Sequence, residues 1–148
     1  MTDQARTDQA RNDQPRVGAL RGIVMRAPGI TATRDFYTRN WGLSVAHEEP
    51  GQVWLRGTGP EPCLYALFDG PVYGIERIEF AMPDRAATDA LHARLMAEGQ
   101  PVTGAPAAFD DFAGGYGVEL LDPDHRRLRF RPEARVLDSA DTWARPRK

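Results

Sequence analysis

Two stretches of this chain share one pattern of alternating apolar and polar positions. In residues 74–84, Ile78, Phe80 and Met82 alternate with Arg77, Glu79 and Ala81. That is the two-residue period of a half-buried strand. Pro83 ends the alternation, and Asp84 is a suitable N-cap for the helical run 85–98. Residues 22–29 carry the same figure, a strand ending at Pro28 and followed by a second helical run. A constant offset aligns Ile23 with Ile78, Pro28 with Pro83, Ala32 with Ala87 and Thr33 with Thr88. The matching order of elements points to an internal duplication.

The first half begins with a strand at 19–27. A helix over 31–41 follows, with Ala32, Phe36, Tyr37 and Trp41 expected on its core face and Gly42 as the C-terminal stop. Strands at 43–48 and 52–57 flank a Pro50-Gly51 turn. A Pro-rich loop leads to a fourth strand at 63–68, and Asp69-Gly70-Pro71 separates the halves. The second half repeats the order: a strand at 75–82, a helix at 85–98 striped with Ala87, Leu91 and Leu95, and Gly99 closing it. Short strands are predicted near Val102, at 116–121 and at 126–131, with 104–115 as a loop.

This reading divides the chain into three parts. Residues 1–17 repeat a polar pentad that begins as Thr2-Asp3-Gln4-Ala5-Arg6. With almost no apolar side chain to bury, they are expected to be a disordered tail. Residues 18–132 form the domain, with module one at 18–70 and module two at 73–132. Residues 133–148 are a C-terminal extension with a basic end.

Composition narrows the function. The chain has 148 residues, with 19 basic against 21 acidic side chains and a net charge of −2. No basic stripe with interleaved aromatics occurs, which argues against a nucleic-acid partner. The lone Cys63 rules out an internal disulfide and suits a reducing compartment. The longest apolar run, 63–68, is too short to span a bilayer, and no signal-peptide core is present at the N-terminus. A soluble, cytoplasmic protein with no membrane partner is expected.

Four stretches carry a family resemblance. They are Phe36-Tyr37-Thr38-Arg39-Asn40-Trp41-Gly42-Leu43, residues 53–61, residues 74–80, and Gly117-Val118-Glu119-Leu120-Leu121-Asp122-Pro123-Asp124. Together with the doubled element order they resemble the vicinal-oxygen-chelate superfamily of glyoxalases, bleomycin-resistance proteins and extradiol dioxygenases. The N-terminal half of class I extradiol ring-cleavage dioxygenases is the nearest likeness. The resemblance implies an α+β fold of two βαβββ modules, whose curved sheets form a half-open barrel with the helices outside.

Active members of that superfamily hold a divalent metal in the cup of the sheet. Carried across residue by residue, the ligand positions fall at Gly22, Arg77 and Arg129. Glycine has no donor atom, and a guanidinium offers no lone pair. The resemblance therefore implies no metal and no cofactor in this cup, with Fe(II) entering only if a partner chain or a further catalytic domain supplies ligands. Whether the chain is an enzyme stays open.

Strand alternation puts Arg77 with Glu79, Arg127 with Arg129 and Arg131, and Gly117 with Glu119 and Leu121, each set sharing a face of its own strand. The resemblance makes the first and last strands of a module neighbours, so that Arg77 and Arg129 are expected side by side. The candidate site is Arg77, Arg129, Glu79 and Glu119. It reads either as an ion-paired cluster or as a fork for a carboxylate or phosphate. His47, His92 and His125 fall on separate elements, Asp110-Asp111 reads as a solvated pair, and Cys63 as a small core residue. The expected function is a metal-free domain of extradiol-dioxygenase type, structural or binding a small aromatic or anionic ligand. It is expected as a homodimer or paired with a catalytic domain. The alternatives are a dioxygenase or glyoxalase-type enzyme completed by a partner, and a resistance-type dimer that sequesters an aromatic ligand.

Overall fold

The duplicated strands meet in the middle of one eight-stranded sheet. A computed structural model describes residues 2–6 and 15–137. The first half supplies β1 (Leu20–Ala27), α1 (Ile30–Asn40), β2 (Ser44–Glu49), β3 (Gln52–Arg56) and β4 (Tyr65–Asp69). The second supplies β5 (Gly74–Ala81), α2 (Arg85–Ala97), β6 (Ala107–Ala108), β7 (Tyr116–Leu121) and β8 (Arg127–Arg131). Strand order is β2-β3-β4-β1-β5-β8-β7-β6. In each half the first strand pairs in parallel with the last, β1 with β4 and β5 with β8. The halves join through the antiparallel pair β1–β5, where Ile23 sits opposite Ile78. The fold is α+β and built of two βαβββ units, as expected.

Alternation sorts the strands into a helix-bearing face and a cup face. Ala27, Ile30, Val53, Leu55 and Leu67 form the core under α1. Met82, Val118, Leu120 and Phe130 form the core under α2, with Ala87, Leu91 and Leu95 packed on it as the helical stripe requires. Asp84 caps α2, its Oδ1 accepting from the Ala87 N–H at 2.7 Å. Gly99 follows that helix with φ 68°, a left-handed stop.

Helix α1 departs from the expected packing. Phe36 and Trp41 are 50% and 63% exposed, and Ile30 is the buried residue of the helix. Ile30 and Tyr37, about two turns apart, set the line that meets the sheet. Phe36 lies one position off that line. Trp41 stands past the last helical turn, with its ring 4.7 Å from that of Tyr37.

Smaller shifts occur at strand ends. The fourth strand begins at Tyr65, and Val102 makes only an isolated bridge to Leu120. The outer edge is β6, a two-residue strand within the expected loop. Its exposed alanines carry no alternation to read. Residues 3–6 form one exposed helical turn. The rest of the expected tail at 7–14, and residues 138–148 of the extension, lie outside the described residues. Among the described residues no helix is long and apolar enough to cross a membrane.

Candidate functional site

The cup face has two unlike halves. On the first module it is apolar: Val24, Trp54, Cys63 and Ala66 pack together, with Phe68 beside them. On the second module it is charged. β5 contributes Arg77 and Glu79, β8 contributes Arg129 and Arg131, and β7 contributes Glu119. All of these arginines and Glu79 are buried, Arg131 to 1% exposure.

The register explains the grouping. Glu79 lies opposite Arg129 across the parallel pair, and Glu119 lies opposite Arg129 from the other side. Glu79 Oε1 accepts from Arg77 Nε at 2.8 Å, and Oε2 accepts from Arg131 Nη2. Arg129 Nη2 donates to Glu119 at 2.9 Å, and its Nη1 donates to Asp111. Arg77 Nη2 is 3.6 Å from the same Asp111 oxygen. Three guanidiniums thus meet three carboxylates, so the buried charges balance. Burial pulls Arg129 down, but the charges of Glu79, Glu119 and Asp111 outweigh it and hold its pKa above the ordinary arginine value. At Arg131 burial wins over Glu79 and Asp111, and the pKa is lowered.

Sequence reasoning placed Arg77, Arg129, Glu79 and Glu119 near one another, and the structure brings all four together. It missed the part played by Asp111. That residue, expected in solvent with Asp110, reaches the cluster because residues 109–114 fold across the cup. Phe112 stacks on His47 with ring centroids 4.7 Å apart, and Ala113 is fully buried in the apolar half. The Arg129 guanidinium lies 3.9 Å over the Phe109 ring. Arg131 Nη1 donates to the Gly114 carbonyl at 3.1 Å. Gly117 permits this closure: a Cβ there would sit 2.1 Å from the Phe130 carbonyl oxygen and 2.8 Å from the Phe109 ring.

The cluster lines a cleft of about 360 Å³, walled by Arg77, Arg129, Phe68, Asp110, Asp111 and Phe112 together with Glu49 and Gln52. His47, His92 and His125 stand on β2, on α2 and in the β7–β8 turn. His125 has φ 64°, the left-handed conformation that the turn demands. Cys63 is buried, and burial pushes its thiol up to about 12.

A divalent metal does not fit the residues at the family's ligand positions. Arg77 and Arg129 are cations whose nitrogens donate. A Cβ at Gly22 would lie 3.0 Å from the carbonyl oxygens of both Cys63 and Leu64, so that position is closed by backbone. Among the described residues no group of three or more His, Cys, Asp and Glu side chains is placed to hold a metal ion.

No family model and no curated protein matches this sequence. Solved structures do. The Mn(II)-bound glyoxalase from Novosphingobium aromaticivorans superposes with a TM-score of 0.76 at 25% identity, over 88% of this chain and 44% of that one. Homoprotocatechuate 2,3-dioxygenase from Arthrobacter globiformis gives 0.76 at 20% identity, over 85% and 39%. The Brevibacterium fuscum enzyme, in complex with 3,4-dihydroxyphenylacetate, gives 0.72 at 21%, over 85% and 40%. The chain therefore spans less than half the length of these proteins. The chain thus has the vicinal-oxygen-chelate fold of these glyoxalase and extradiol-dioxygenase neighbours.

Proposed function

We propose that this chain is a metal-free vicinal-oxygen-chelate domain of extradiol-dioxygenase type, serving structure and small-molecule binding rather than catalysis by itself. The observation that carries this reading is the replacement of metal ligands by an ion-paired lattice. Gly22, Arg77 and Arg129 stand at the ligand positions, and the two arginines are committed to Glu79, Glu119 and Asp111. A guanidinium offers a metal ion no lone pair, and the carboxylates beside it are already engaged by the arginines.

The neighbours are more than twice as long as the matched region, which favours pairing with a second unit. Catalysis, where it occurs, would then need that unit, a catalytic domain or partner chain that brings its own ligands and Fe(II). A second copy of the chain is the other candidate partner. The single buried Cys63 suits a reducing, cytoplasmic setting.

Elemental analysis of the dialysed protein tests the reading, together with a catechol ring-cleavage assay. The expected result is no stoichiometric Fe, Mn, Zn or Ni and no cleavage. One equivalent of retained metal accompanied by ring cleavage would overturn it.

A further inference from the structure

The cup face has a surplus of donors. Arg77 Nη2 and Arg129 Nε, on two of the residues that line the cleft, are buried without a hydrogen-bond partner from the protein. Among the described residues, no buried side-chain acceptor is left in the same condition. Buried polar groups are normally satisfied, so an unpaired set of one kind points to the complementary kind of ligand. Here the complement is an acceptor-only group, such as a carboxylate or a phosphate.

The position of Asp111 shows where that group would sit. Its Oδ2 bonds Arg129 Nη1 and stands 3.6 Å from Arg77 Nη2, too far for a hydrogen bond to Arg77. Its other oxygen accepts from the Gly114 N–H at 3.0 Å, a turn interaction local to the loop. Asp111 therefore occupies the space between two arginines while satisfying only one. Its side chain is 18% exposed, whereas that of Arg77 is 7% exposed. The carboxylate is the more movable partner.

We infer that Asp111 is an internal stand-in for a ligand carboxylate, and that the cleft takes a small planar aromatic carboxylate which displaces it from Arg77 and Arg129. This rests on the proposed binding role of the metal-free cup. Charge balance requires exchange: the cluster is neutral with Asp111 in place, so a second anion enters favourably only as the first leaves. The walls set the remainder of the ligand. Phe68 and Phe112 flank the cleft, and its volume of about 360 Å³ suits one ring with its substituents. A fork of two arginines favours a planar, bidentate carboxylate over a point-like ion.

The test is titration of the full chain and of Asp111→Asn with sodium benzoate, acetate and inorganic phosphate at constant ionic strength. It is read by calorimetry and by ¹⁹F NMR of 4-fluorobenzoate. Benzoate should bind Asp111→Asn at least tenfold more tightly than it binds the unaltered chain, and more tightly than acetate or phosphate. Arg77→Met combined with Arg129→Met should abolish binding. Phosphate binding as tight as benzoate would overturn the aromatic carboxylate assignment. Equal benzoate affinity with and without Asp111 would overturn the exchange. If Asp111→Asn fails to fold, the ¹⁹F titration of the unaltered chain decides, and the absence of saturable binding there overturns the site. Metal content measured on the same samples separates this outcome from failure of the metal-free reading.

Discussion

Arg131 donates its Nη2 to Glu79 Oε2 in the least exposed ion pair among the described residues, with the two side chains 1% and 5% exposed. Glu79 also accepts from Arg77, and Arg129 lies 3.7 Å away. One carboxylate is thus the shared counter-charge of three guanidiniums, and stability in this half of the cup depends on it.

Glu79→Gln should be the most damaging neutralisation in the cluster. It leaves three buried cations facing only Asp111 and Glu119, and breaking one side of a buried pair costs about 3–5 kcal/mol. Glu119→Gln should cost less, because Glu119 bonds Arg129 alone and its side chain is 20% exposed. Replacing Arg77 and Arg129 together by Met should also be milder than Glu79→Gln, since Arg131 still pairs with Glu79. Urea denaturation of the three variants gives the order, and a Glu119→Gln cost equal to that of Glu79→Gln would refute it.

Gly117→Ala should destabilise the second module by roughly 1–3 kcal/mol, the usual range for overpacking. The added methyl would meet the Phe130 carbonyl at 2.1 Å, and backbone must shift to receive it. Thermal unfolding measures the loss. An unchanged melting temperature would mean that β7 and β8 do not approach as closely as described.

The Cys63 thiol should remain silent toward a thiol-reactive probe at neutral pH until the protein unfolds. Its pKa is raised to about 12, chiefly by burial. The neutral form is therefore favoured by folding. That contribution is intact below the unfolded thiol's ordinary value near 8.5, and is lost as pH climbs toward 12. The unaltered protein should lose stability more steeply than Cys63→Ala over that range, by at most about 1.4 kcal/mol per pH unit. Parallel slopes from pH 8.5 to 11 would contradict this assignment.

Phe112→Ala should loosen the segment that closes the cup. Phe112 stacks on His47 and lies with its ring centroid 6.0 Å from that of Trp54, joining the second module's loop to the first module's sheet. Because it is only partly buried, a loss of about 2 kcal/mol is expected, below the full-core range for phenylalanine. Amide exchange should accelerate across residues 109–115 more than in α2. Unchanged exchange there would show that Phe112 does not hold the loop.

The sequence by itself determined the repeat, most of the strands and both helices. Their signals are local: two-residue alternation around Ile78 and Phe80, the Asp84 cap, and glycines where the chain must turn left-handed. The same alternation placed Arg77 and Glu79 on one face and Arg129 and Arg131 on one face. The repeat also made Ile23 and Ile78 equivalent positions, and the structure pairs these two at the seam between modules. Tertiary structure decided the rest. Which arginine met which carboxylate depended on strand register, and it made Glu79 the centre of the cluster. The arrival of Asp111 beside Arg129 depended on the path of a loop that carries no periodicity. The exposure of Phe36 and Trp41 depended on which line of α1 the sheet receives, that of Ile30 and Tyr37, and on the helix ending before Trp41. Local patterns assign residues to faces, but only the packing of distant segments decides which faces are covered and which charges find one another.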